Sequence, residues 1–157
     1  EFPDAELTIV GDGPLRASLE RLAGELGVAG AVRFAGMLSG KEVRQKMSQA
    51  NVMMAPSVVA RDGDRESGLM VLKEAGACAL PSVATRHGGI PEIVIHEQTG
   101  FLAPEREVGP LADYLRLLAA DPGLRVRMGE SARRKIAEEY DTVIQNRRLE
   151  EHFITIL

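Results

Sequence analysis

The sequence predicts an α/β protein built on a doubly wound, Rossmann-like parallel sheet. Three observations carry that expectation. Short apolar or β-branched runs alternate with helical stretches for five units. The first run, Leu7-Thr8-Ile9-Val10, is short, β-branched and apolar, as in a buried parallel strand. Each glycine-rich or charged motif follows a run, at the carboxyl end of a strand, where such sheets bind ligands.

Leu7-Thr8-Ile9-Val10 is the first strand, stopped by Gly11-Asp12-Gly13-Pro14. Pro14 suits the first turn of the helix that follows. Leu15, Leu19, Leu22 and Leu26 give this helix an apolar stripe, and Gly27 ends it. Ala31-Val32-Arg33-Phe34 is the second strand. Ser39 caps the next helix, with Glu42 three residues on completing a capping box. Val52-Met53-Met54-Ala55 forms a third strand, halted by Pro56, and residues 61–65 make a charged loop.

A helix is expected to open near Ser67 or Gly68. Ser82-Val83-Ala84 is the fourth strand, residues 90–94 a short helix, and Gly100-Phe101-Leu102 a small fifth strand. From Val108 the chain reads as helical, with a stripe of Leu111, Leu115 and Leu118. Asp121-Pro122 starts a further helix, and residues 141–157 form the last. Residues 1–140 are expected to be one domain and 141–157 its closing helix.

Composition bounds the function. The 157 residues support one domain with a real core, and 45% hydrophobic with 27% charged residues is an ordinary globular balance. A formal net charge of −4 argues against a general nucleic-acid surface. The single cysteine, Cys78, excludes an internal disulfide framework and fits a reducing, cytoplasmic setting. No apolar run approaches the length of a transmembrane helix. The chain opens on Glu1-Phe2-Pro3 with no initiator methionine, and reads as a piece of a longer protein.

The chemistry gathers around Glu66-Ser67-Gly68-Leu69-Met70 and Glu74. A helix starting near Ser67 places Glu66 ahead of it and Glu74 about two turns inside, with the carboxylates roughly 9–12 Å apart along the axis. The helix N-terminus between them, with free amides and a positive dipole end, suits a phosphate. A nucleotide sugar (sugar, diphosphate, ribose) fits that layout. Read alone, both glutamates are ordinary solvated residues. Their separation also exceeds that of an inverting glycosidase pair.

Other motifs have plain readings beside the functional ones. Gly11 and Gly13 suit a strand-to-helix turn, and G-x-G-x-x-G fails because Arg16 occupies the sixth position. Gly88-Gly89 serves equally as a βα turn and as a close approach to ligand, with Pro91 in the next helix's first turn. No metal ligand set is expected, because His87 has no second histidine or cysteine at ligand spacing.

Together these blocks resemble the donor-binding half of a group 1 (GT4-type) glycosyltransferase. The residues that carry the resemblance are Ile9-Val10-Gly11-Asp12-Gly13-Pro14, Val32-Arg33-Phe34-Ala35-Gly36, Ala55-Pro56-Ser57, Glu66 to Glu74, Gly88-Gly89-Ile90-Pro91-Glu92 and Thr99-Gly100-Phe101-Leu102, in that order from about Leu7 to Tyr140. Two positions depart from the commoner family form. Ser67 follows Glu66, and Ala79 stands where glycine usually precedes Leu-Pro.

The resemblance implies the C-terminal domain of a GT-B enzyme whose first strand precedes Glu1. It implies a retaining, metal-independent hexosyl transfer from a UDP-, GDP- or ADP-sugar to a polysaccharide or glycolipid, without a resident cofactor. Glu74 would accept hydrogen bonds from the ribose hydroxyls. Glu66 would face the donor sugar as the candidate catalytic residue, though not as a covalent nucleophile. The amides of Gly68, Leu69 and Met70 would hold the distal phosphate. Gly11 and Gly13 would edge the donor site, Gly36 and Met37 would flank the base, and Gly88 and Gly89 would approach the ligand. The missing partner would be an N-terminal acceptor domain. Any membrane association of the full enzyme would be peripheral, and the piece alone would bind donor weakly without transferring sugar. Two other classes fit the residues: one half of a nucleotide-sugar 2-epimerase-like isomerase, and a non-catalytic nucleotide-binding module.

Overall fold

A computed structural model of the protein describes residues 2–65 and 69–156. The chain divides into two compact units, Glu1–Lys46 and Met47–Leu157, with the boundary inside one helix.

In the first unit, β1 (Leu7–Val10) and β2 (Val32–Gly36) pair in parallel, and the register slips between Ile9 and Val10. Between them runs α1 (Arg16–Glu25), with Leu15 at its N-cap, so Pro14 stands just outside the helix and not in its first turn. Gly27 ends α1 as expected. It takes φ +70°, while its N–H reaches the Gly24 carbonyl and that of Val28 reaches Ala23, a Schellman closure.

The leucine stripe of α1 does not form a core. Leu15 and Leu26 are 67% and 66% exposed, Leu19 and Leu22 are exposed as well, and Ala23 is the buried residue of the helix. The physical reason is scale, because a two-stranded ribbon has too little apolar surface to cover such a stripe. α2 (Gly40–Gln49) opens on the expected capping box. The Glu42 carboxylate accepts from both the N–H and the hydroxyl of Ser39, at 2.8 and 2.6 Å, and is held below the usual carboxylate pKa by the Ser39 hydroxyl first.

In the second unit, β3 (Met53–Ala55), β4 (Ser82–Thr85) and β5 (Gly100–Ala103) form a parallel sheet in that order. The connections are α3 (Met70–Ala77) and α4 (Ile90–Ile93), followed by α5 (Val108–Ala120), α6 (Pro122–Glu139) and α7 (Thr142–Ile156).

Period-two alternation sorts the strand residues onto two faces. Ala55, Ala84 and Leu102 pack with Leu72, Ile90, Ile93 and Val94, so α3 and α4 cover one face. Val83, Phe101 and Ala103 pack with Leu111, Leu118 and Met128, so α5 and the start of α6 cover the other. Helices on both faces of a parallel sheet are the doubly wound architecture expected from the sequence. The difference is that the described strands hydrogen-bond as two sheets, β1-β2 and β3-β4-β5, and not as one.

The α3-to-β4 turn repeats the closure seen after α1, with alanine in place of glycine. Ala79 takes φ +55°, its N–H reaches Gly76, and the N–H of Leu80 reaches Ala75. Among the described residues, no helix is long and apolar enough to cross a membrane.

Candidate functional site

The carboxyl ends of β3, β4 and β5 meet in a polar network. The register that sets Thr85 beside Ala103 also brings the residues beyond them, His87 and Glu105, to neighbouring positions. His87 is 1% exposed, and its Nδ1 lies 2.8 Å from one oxygen of Glu105. The other Glu105 oxygen accepts from the Val59 N–H at 2.9 Å. Arg106 donates to the Val59 carbonyl at 2.6 Å, and the Thr85 hydroxyl donates to the Ser57 carbonyl. The Val59 N–H, and then the His87 bond, hold the Glu105 carboxyl below its usual range. An ionised Glu105 only accepts, so Nδ1 of His87 is the donor in this pair.

The predicted site residues fall within each unit as follows. In the second unit, Leu69 is the N-cap of α3, extended and without a side-chain cap, and Met70 is the first helical residue, 63% exposed. Helix α3 thus starts two to three residues later than its sequence suggests, because the backbone is still extended at Leu69. Glu74 consequently lies about one turn inside, not two. It is exposed. Gly88 takes φ +47°, the left-handed conformation that glycine supplies freely, and Gly89 is the N-cap of α4, with Pro91 in the first turn. Glu66 and Gly68 lie outside the described residues.

In the first unit, Gly11 (φ +122°) and Gly36 (φ +68°) meet at the ends of β1 and β2. The Gly11 N–H donates to the Gly36 carbonyl at 2.8 Å. The Gly13 N–H is taken by the Asp12 carboxylate at 2.8 Å, and Met37 is 78% exposed.

The hydrogen bonds of Glu105 and Arg106 to Val59 were not legible in the sequence. Neither belongs to a motif. The one signal was positional, since two parallel strands ending in register place the second residues beyond them side by side.

The sequence profile of "Glycosyl transferases group 1" matches residues 1–135. This chain belongs to that family. The group 1 chain is 34% identical over 146 residues to the amylovoran biosynthesis glycosyltransferase AmsK of Erwinia amylovora, covering 93% of this chain and 36% of that protein. It is likewise 34% identical over 150 residues to a GDP-mannose-dependent phosphatidylinositol monomannoside mannosyltransferase of Mycolicibacterium smegmatis, covering 95% and 39%. The fold superposes with a TM-score of 0.87 on Anabaena Alr3699/HepE in complex with UDP, at 25% identity, covering 98% of this chain and 42% of that one. The group 1 chain therefore spans well under half the length of these relatives. Its α/β fold is that of one part of the GT-B glycosyltransferases.

Proposed function

We propose that this chain is the donor-binding part of a retaining glycosyltransferase of the GT4 type, C-terminal in its enzyme. That enzyme moves a hexosyl group from a nucleoside diphosphate sugar to a polysaccharide or glycolipid acceptor on the cytoplasmic side. The observation that carries the reading is the superposition of nearly the whole chain on HepE, a protein solved with UDP and with UDP-glucose. The named relatives support the acceptor class, since one acts in amylovoran biosynthesis and another on a phosphatidylinositol mannoside.

In this reading the donor is a UDP-, GDP- or ADP-sugar and no resident cofactor takes part. The Glu74 carboxylate accepts from the ribose hydroxyls, a charge-assisted bond. The α3 N-terminus, open at Leu69 and Met70, faces the diphosphate. In the transfer, the bond between the anomeric carbon and the diphosphate oxygen breaks and its electron pair leaves on the diphosphate. An acceptor hydroxyl then bonds that carbon and gives up its proton to the departing diphosphate. Amides fixed in place stabilise the charge on the departing group without reorganisation. Glu66 is assigned to the donor sugar. The acceptor site is assigned to a second domain, so the chain alone binds donor and does not transfer.

Titration with UDP, GDP and ADP followed by amide NMR tests this reading. Saturable shifts at Leu69, Met70, Glu74, Gly88 and Gly89 are expected for one nucleotide. Shifts scattered away from the strand ends would contradict it.

A further inference from the structure

Tyr140, the C-cap of α6, ties that helix to α3 and α4 within the second unit. Its hydroxyl donates to the Glu92 carbonyl of α4 at 3.1 Å, 48 residues back in the chain. The ammonium of Lys73 in α3 lies 4.7 Å from the centroid of its ring, a cation–π contact. The half-buried ring also packs on the core cluster that holds Leu72 of α3 with Ile90 and Ile93 of α4, and Leu69 packs on the same cluster.

Two features give these contacts a consequence for the strand ends. First, α4 is four residues long, too short to hold its place by its own hydrogen bonds. The Glu92 carbonyl is among those a helix end leaves without an internal partner, and Tyr140 supplies the donor. Burial pushes the Tyr140 phenol pKa up, so the hydroxyl is protonated and able to donate at neutral pH. Second, both helices are gripped close to the same end. Each links parallel neighbours in the sheet, so each N-terminus stands at the carboxyl ends of the strands. Glu92 lies less than one turn from Gly89, the N-cap of α4, and Lys73 less than one turn from Met70, the first residue of α3.

We propose that Tyr140 is a positioning residue that holds the N-termini of α3 and α4 at one spacing for the diphosphate of the donor. This assignment rests on the donor-site reading above. Tyr140 touches no donor atom in it. Its hydroxyl acts through the Glu92 carbonyl on Gly88 and Gly89, and its ring acts through Lys73 on the first turn of α3. The two actions belong to different atoms of one side chain, so each can be removed separately.

The test combines amide hydrogen exchange with nucleotide titration on the protein, Tyr140→Phe and Tyr140→Leu. The exchange arm needs no ligand. Tyr140→Phe keeps the ring and removes only the hydroxyl. It is expected to speed exchange of the Ile90, Glu92 and Val94 amides, bonded to the carbonyls of His87, Gly89 and Ile90, by about fivefold, while the strand amides hold. Tyr140→Leu removes the ring as well and extends the faster exchange into α3. In the titration arm UDP, GDP and ADP are the probes, used well below the melting temperature of each variant, where a merely less stable protein still binds normally. The nucleotide that binds the unsubstituted protein should bind Tyr140→Phe about fivefold more weakly, and Tyr140→Leu more weakly again. Tyr140→Phe carries the test where Tyr140→Leu does not fold.

Exchange in α4 that Tyr140→Phe leaves unchanged would overturn the brace. Faster exchange with undiminished nucleotide affinity would overturn the positioning role and leave the donor-site reading standing. An unsubstituted protein that binds none of the three nucleotides would bring down that reading and this assignment with it, whatever the exchange arm shows for α4.

Discussion

Gly129 of α6 stands over the carbonyl of Ala79. A Cβ added at 129 would come within 2.0 Å of that oxygen and 2.8 Å of its carbon. Helix α6 crosses the α3-to-β4 turn there at backbone distance. Nothing on the far side can give, because the clash is with a main chain already held by hydrogen bonds to Ala75 and Gly76. Gly129→Ala, normally favourable in a helix interior, is therefore expected to destabilise by about 2 kcal/mol or more. Urea denaturation reads the sign directly, and a stabilised variant would show that α6 does not approach as described.

Ala79 itself offers the opposite case. Its φ of +55° places an alanine where a glycine is at ease. Ala79→Gly relieves that strain and adds some freedom to the unfolded chain, for a net gain expected at about 0.5–1 kcal/mol. The measurement is again a denaturation midpoint, and a loss of stability would refute the strained-turn account.

Glu105, bonded to the Val59 N–H and to His87, gives a pH dependence with a definite sign. Its carboxyl is held below the ordinary value of 4.5, by the Val59 N–H first and the His87 bond second, with Arg106 nearby adding to the effect. A group depressed in the folded state contributes stability above its unfolded pKa and loses it as pH falls through the folded value. The window therefore opens near pH 4.5 and extends downward. Glu6, paired with Arg33, and Glu42, bonded to Ser39, titrate in the same direction. The readout is thus the difference between the protein and Glu105→Gln. That difference should shrink as pH falls below the ordinary carboxyl value. A gap that widens below about pH 4.5 would contradict the lowered Glu105 carboxyl.

How far the residues foretold all this depended on the range of the interactions. Gly27, the Ser39–Glu42 box and the Asp121 cap, which accepts the Leu124 N–H at 2.9 Å, were legible because each is complete within a few residues. The stripe of Leu111, Leu115 and Leu118 found its sheet, whereas that of α1 did not. Periodicity says which face is apolar, but not whether an opposing surface of sufficient size exists. The α3 start was misplaced because Leu69 is extended, a backbone state no side chain there announces. His87 read as a loop histidine is in fact buried against Glu105, 18 residues on, a contact made by strand register and not by local pattern.

The central claim is that the residues around the α3 N-terminus bind a nucleoside diphosphate through Glu74. Calorimetric titration of the protein and of Glu74→Ala with UDP, GDP and ADP tests it most directly. Losing a charged acceptor for the ribose hydroxyls should cost about 1.5–3 kcal/mol, or roughly tenfold to a hundredfold in Kd, for whichever nucleotide binds. Saturable binding that Glu74→Ala leaves untouched, or no binding by any of the three, would contradict the account.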